Sequence, residues 1–156
     1  ADESTWARGQ AWGLYGFTET YRETTDPEYL DQANKIAGFI LSHPNFPADK
    51  IAYWDFNAAG IPGVLRDASA AAIMASALIE LSGYVNSKLS DQYLKTAAII
   101  LKNLSAAKYK AAPGSNGGFI LQHGVGHMPN KTEVDVPLTY ADYYYVEAMI
   151  RYKKMF

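Results

Sequence analysis

The chain has 156 residues, 49% of them hydrophobic, and a formal net charge of −2, which describes one ordinary domain able to bury a core. So small a charge supplies no basic field for a nucleic-acid backbone or an anionic membrane surface, and neither is expected as a partner. There is no cysteine, which removes disulfides and a thiolate nucleophile, and no apolar run approaches the roughly 20 residues that cross a bilayer.

The first predicted element is a helix capped by Ser4 or Thr5 and running to about Thr24. Arg8, Trp12, Tyr15 and Glu19 share one stripe of it, because residues three and four apart are neighbours on a helix surface. Gly9, Gly13 and Gly16 form a second stripe. Each costs roughly 1 kcal/mol relative to alanine, so the glycines predict that another backbone passes close by. Arg8 is a cation at the positive end of the helix dipole, an unfavourable place that points to a site. Alternatively it pairs with Asp2 or Glu3 above an aromatic cluster.

A second helix opens at Pro27, carries Tyr29, Leu30, Ala33, Ile36, Ala37, Ile40 and Leu41 on one face, and stops at His43-Pro44. Residues 45–65 show no helical period. Their Pro47, Gly60, Pro62 and Gly63 mark a loop, and Tyr53-Trp54-Asp55-Phe56 makes it an ordered one. A helix rich in alanine and serine then runs from Arg66 to Leu81, and its amphipathic companion spans about Asp91 to Ala107. Residues 111–136 again read as loop, with mobile glycines at His123-Gly124-Val125-Gly126-His127 and a short strand at Phe119-Ile120-Leu121. A last helix runs from Pro137 to Lys153, and Tyr143-Tyr144-Tyr145 spread around it.

Small-residue helix, amphipathic helix and long loop thus repeat, which predicts crowded inner helices wrapped by bulkier outer ones. The loops and the starts of the inner helices then share one rim, where Arg8, Trp12, Arg66 and the loop aromatics would meet. A guanidinium grips a carboxylate bidentately and an indole offers a flat face to a sugar ring, so Arg8 with Trp12 suits an acidic carbohydrate. Trp54 with Asp55 repeats the combination. Asp67, in a helix first turn, is either an acid-base residue or a favourable dipole partner. Lys131 meets an anionic group or water. Histidines 123 and 127 have no third ligand nearby in sequence, so no metal is expected, and no nucleotide fingerprint or Ser-His-Asp arrangement appears.

The stretch from Ser4 to Phe17, STWARGQAWGLYGF, resembles the signature of unsaturated glucuronyl hydrolases, glycoside hydrolase family 88. Tyr53-Trp54-Asp55-Phe56, Arg66-Asp67-Ala68-Ser69-Ala70, His123-Gly124-Val125-Gly126 and Asp142-Tyr143-Tyr144 follow in the family's order, so the likeness covers the whole chain, 1–156. Unsaturated rhamnogalacturonyl hydrolases are less similar, having asparagine-glycine where this chain has Gln10-Ala11. The resemblance implies an all-α fold, an α/α barrel of six helical hairpins, of which this chain is the C-terminal half with long loops on one rim. It further implies a bacterial hydrolase, of cytoplasm or periplasm, that needs no cofactor. Such an enzyme hydrates the vinyl ether of the unsaturated uronic acid that polysaccharide lyases leave on glycosaminoglycan oligosaccharides.

The acid-base aspartates of that reaction belong to the N-terminal half. The resemblance therefore assigns no catalytic residue here, with Asp67 and Asp55 as fallbacks, and makes Arg8 and Trp12 substrate-binding residues; Trp54 and Lys131 join them from the residue reading. The expected partners are an unsaturated uronic-acid oligosaccharide, the missing half of the barrel, and other copies meeting the open ring edges. The chain alone is expected to be inactive. The competing reading is a sugar-binding helical module without chemistry; a protein-binding helical scaffold fits the aromatic loops poorly.

Overall fold

The computed structural model describes residues 3–155. Five helices carry it: α1 (Ala7–Thr24), α2 (Pro27–Ser42), α3 (Ala68–Ser82), α4 (Ser87–Leu104) and α5 (Thr139–Lys153). A hairpin of β1 (Gly124–His127) and β2 (Thr132–Val136) precedes α5.

Helix α3 is the centre of the molecule. It packs between α1 and α5, while α4 covers its outer side and α2 covers α1. Apart from Glu80, every residue of α3 is buried. Surrounded on all sides it has no room for long side chains, which explains its alanines and serines. Helix α4 turns Tyr93, Ala97, Ile100, Leu101 and Leu104 inward and leaves its other face in water. The Tyr93 hydroxyl reaches past the core to Asn34 Oδ1 at 2.8 Å, tying the two outer helices together. Small-residue helices inside and amphipathic ones outside is the arrangement the sequence repeat predicts.

The ends of the helices depart from expectation in instructive ways. Neither Ser4 nor Thr5 caps α1; the N-cap is Trp6, without a side-chain bond, and Ser4 spends its hydroxyl on Asp55. Helix α3 starts two residues later than expected because Asp67 is its cap, accepting from Ser69 N. Helix α4 starts at Ser87 because Asn86 accepts from Leu89 N, and it stops at Leu104. Helix α2 opens at Pro27 as expected, and Asp26 caps it, accepting from Glu28 N.

The helix glycines also need another account. A Cβ on Gly9 would meet the Trp6 ring at 2.8 Å, one on Gly13 would meet Ile36 Cδ1 at 3.2 Å, and Gly16 faces open space. Side chains, not a second backbone, require the first two.

The two long loops close over the starts of α1 and α3. Ala7 N donates to Trp54 O at 3.1 Å, Phe56 N to Thr5 O at 3.0 Å and Asp67 N to Ala52 O at 2.9 Å. The expected strand at 119–121 is only a bridge from Leu121 to Lys110. The strands lie instead at 124–127 and 132–136, where glycine serves close packing and not mobility: a Cβ on Gly124 would strike Leu138 Cδ1 at 2.6 Å and Val136 O at 2.8 Å. Among the described residues no helix is long and apolar enough to cross a membrane.

Candidate functional site

The rim formed by the starts of α1 and α3, the 43–66 loop and the β-hairpin is where the polar and aromatic side chains converge. Asp67 is fully buried there. Its Oδ1 accepts from Ser69 N at 3.0 Å, Ser69 Oγ at 2.6 Å and Val125 N at 3.3 Å. Its Oδ2 accepts no hydrogen bond among the described residues and lies 3.5 Å from Arg8 Nη1. Burial raises the Asp67 pKa from the usual carboxylate value, and the hydrogen bonds from Ser69 and Val125 and the nearby charge of Arg8 only partly offset this. Asp67 thus joins three elements, α1, α3 and β1.

Arg8 is 5% exposed. Its Nη1 donates to Val125 O at 2.5 Å and to Ser69 Oγ at 3.3 Å, and its Nη2 donates to Gly126 O. The guanidinium lies between two rings, 4.8 Å from the centroid of Trp6 and 5.1 Å from that of Tyr140. Of the two sequence alternatives for its partner, Glu3 is not the residue it pairs with and Asp2 lies outside the described residues; the carboxylate beside it is Asp67. Three hydrogen bonds leave two of its five N–H donors uncommitted among the described residues. Those two are what Arg8 can offer an anionic group.

Trp12 stands one turn further along α1. It meets Tyr144 edge-on at 5.1 Å and lies tilted against Tyr140 at 6.3 Å. Tyr144 in turn meets Tyr15 at 5.0 Å, and the Tyr15 hydroxyl donates to Glu147 Oε1 at 3.2 Å. Arg8, Trp12 and Tyr15 therefore form one wall with Tyr140 and Tyr144 of α5 running down it. Of the tyrosine triplet, Tyr145 is buried, Tyr144 belongs to this wall and Tyr143 is exposed.

Trp54 does not touch that wall. It lines a cleft of about 210 Å³ with Ser4, Trp6, Gly126, His127, Met128 and Pro129. Two indoles and an edge of backbone suit the apolar face of a sugar ring. Trp6 links cleft and wall, since the same ring covers Arg8.

Asp55 has both oxygens engaged: Oδ2 accepts from Ser4 Oγ at 2.5 Å, Oδ1 from Thr5 N at 3.1 Å and Asn57 N at 2.7 Å. At 2% exposure it fastens the segment before α1 to the loop and presents no open oxygen to a substrate. Lys131 is exposed in the turn between β1 and β2 with a φ of +55°, away from the lining of the indole cleft. Arg66 is also apart from Arg8. It stacks over Tyr53 at 4.1 Å and donates to Asp49 Oδ1 at 3.0 Å. His123 Nδ1 pairs with Asp135 at 2.6 Å, His127 Nδ1 accepts from Asn130 N, and no group of three metal-binding side chains occurs among the described residues.

Trp6, Ser69, Val125 and Gly126 stand inside the motifs quoted from the sequence but carry no role at the site there, and Tyr140 is not singled out. The period-two alternation of Thr132-Glu133-Val134-Asp135-Val136 was the available signal for the hairpin; nothing local marks Tyr140, whose role depends on α5 crossing α3.

No family model matches the chain. It is 48% identical over 148 residues to an unsaturated glucuronyl hydrolase of Formosa agariphila, a match covering 95% of this chain and 36% of that protein. A crystal structure of an unsaturated glucuronyl hydrolase specific for heparin superposes with a TM-score of 0.95 at 52% identity, covering 98% of this chain and 41% of the other. A mutant of the Streptococcus agalactiae enzyme, solved with dGlcA-GalNAc6S, superposes with a TM-score of 0.86 at 33% identity over the whole of this chain and 41% of its own.

Proposed function

The chain belongs with the unsaturated glucuronyl hydrolases, of whose length it spans about 40%, and from that kinship we propose that it is the C-terminal part of an α/α toroid enzyme and supplies one wall of its sugar site. The enzyme removes an unsaturated uronic acid from lyase-generated glycosaminoglycan oligosaccharides by hydrating its vinyl ether. Protonation and water activation come from aspartates on the other part of the ring, and the residues described above bind.

The observation that carries this reading is the seating of Arg8. Its guanidinium is aligned by two hairpin carbonyls and Ser69, held between Trp6 and Tyr140, and keeps donors to spare beside Trp12. Such a fixed cation beside ring faces recognises a uronate carboxylate and the sugar that bears it. Asp67 acts through Arg8 as a positioning residue, because its buried carboxyl has no path to a substrate. Trp54, with Trp6, receives a further sugar ring; Lys131 reaches a more distant anionic group from the hairpin turn.

The test is reconstitution. Alone, the chain should not turn over an unsaturated chondroitin disaccharide, followed as loss of ultraviolet absorbance. Co-expression with the remaining N-terminal portion of the Formosa agariphila relative should restore turnover, and Trp12→Ala should remove it. Turnover by the isolated chain would place the acid within it and return Asp67 to the catalytic candidates. Saccharide binding by the isolated chain, with no gain on reconstitution, would favour the non-catalytic sugar-binding module.

A further inference from the structure

A second cleft of about 260 Å³ opens on the other flank of the rim, lined by Val64, Leu65, Arg66, Lys108, Tyr109, His123 and Asp135. It shares no lining residue with the indole cleft. Three of its side chains are cationic or able to become so, and its one acid, Asp135, is already paired with His123 at 2.6 Å. Arg66 is fixed in place by Asp49 and by the carbonyl of Ile51. Lys108 is exposed and has no carboxylate partner among the described residues.

Tyr109 gives the cleft its direction. The residue is 2% exposed and its hydroxyl is shielded from solvent; Lys108, which can only donate, interacts with it, and no acceptor for the hydroxyl proton is found among the described residues. A buried hydroxyl whose proton has no acceptor is costly to keep, so its retention calls for one. The charges that act on it are Lys108 and Arg66, the two permanent cations of the cleft, opposed by Asp49. Lys108 Nζ stands 5.1 Å from the ring centroid, and the His123 ring meets the same tyrosine edge-on at 6.1 Å. An O–H donor without an acceptor, in a cleft that also presents an ammonium and a guanidinium, lacks one thing: an oxyanion. The backbone of this corner is unusual as well, since His123 and Asp135 both hold positive φ, +66° and +57°. Non-glycine residues adopt that conformation at a cost, and their pairing holds both at the cleft edge.

We propose that this cleft is an oxyanion site, taking a carboxylate or sulfate group on Lys108, Tyr109 and Arg66. The apolar wall of Val64 and Leu65 fits an oxyanion borne by a saccharide, and free inorganic anion is the alternative source. The site is independent of the reaction assigned to the ring and stands or falls without it.

Titration of the labelled chain with sodium sulfate, at ionic strength held constant with chloride, tests the site by the NMR shifts of Lys108, Tyr109 and His123. Saturating shifts confined to these residues are expected, with Lys108→Ala abolishing them. Tyr109→Phe should raise the half-saturation concentration about ten-fold, the worth of one hydrogen bond to a charged group. It should leave the melting temperature in chloride unchanged or higher, because it removes a buried hydroxyl whose proton has no acceptor. Shifts that do not saturate, or that Tyr109→Phe leaves unaltered, overturn the proposal. A parallel titration with glucuronate identifies the source: tighter binding than sulfate supports a saccharide-borne group, and weaker binding a free anion.

Discussion

Two buried charges, Arg8 and Asp67, decide how the rim behaves. A guanidinium shielded from water must have its donors met, and here α3 and the hairpin meet three of them. Arg8→Met keeps the bulk of the side chain but leaves Asp67 with no cation and two carbonyls with no donor. That loss is expected to cost about 3–5 kcal/mol, seen as a fall in melting temperature of roughly 10 °C. Asp67 gives a pH signature with a definite sign. Its folded pKa lies above the ordinary 3.8, so between these values the folded chain holds a proton that the unfolded chain has released. Folded molecules then bind more protons, and stability falls as pH rises from about 3.8 through the folded value. Asp67→Asn should remove that fall. Unfolding free energies of the two proteins across acid pH test this, because their difference isolates the one carboxyl. A difference that grows in the opposite sense would mean that Arg8, not burial, dominates the site. The sequence pointed to Arg8 and Asp67 separately, one as a misplaced cation and the other as a first-turn acid. Their meeting was not legible, because it depends on β1 crossing above both helices.

The hairpin is the element that turns these residues into a site. Its strands are short, and their inward face is built from glycine and valine so that backbone can lie against backbone. Gly124→Ala therefore tests it directly. The added methyl would meet Leu138 and the carbonyl of Val136, and the carbonyl cannot rotate away. Overpacking of this kind costs roughly 1–3 kcal/mol. Faster hydrogen exchange at Val125 and Val134 is expected, with the far ends of α2 and α4 unchanged; uniform loosening of all helices would mean that the hairpin is only one part of a general core. The helices themselves were legible almost to their ends, since their apolar spacing is a local property of the chain. Their caps were less so. Ser4 and Thr5 are good capping residues by type, but Asp55 accepts from the Ser4 hydroxyl and Asn57 donates to that of Thr5, both from the distant loop, so α1 begins on an uncapped tryptophan. The hairpin escaped notice for a related reason, as glycines that signal mobility in isolation signal close contact when a partner strand is present.

At the scale of the whole molecule the asymmetry of α5 is the informative feature. Its buried face, Ala141, Tyr145 and Ala148, rests against the core, and an ion cluster of Glu80, Glu147 and Arg151 locks it to α3. The opposite face carries Tyr143, Val146, Met149 and Ile150, all exposed. Helices α1 and α3 each have an outer companion, α2 and α4, whereas α5 has none among the described elements. Apolar side chains grouped in this way mark a contact surface, and in a toroid the next helices of the ring would cover it. On the chain by itself that surface should drive association between copies. Sedimentation over a range of protein concentration is expected to reveal dimers or larger species. Val146→Glu should shift the population to monomer without altering the helical circular dichroism, because a side chain 42% exposed contributes little to the fold. Co-expression with the N-terminal portion of a relative should have the same effect on the unsubstituted chain, by occupying the face. A chain that stays monomeric at all concentrations, with Val146→Glu indistinguishable from it, would mean that the α5 face is stable in water and needs no covering.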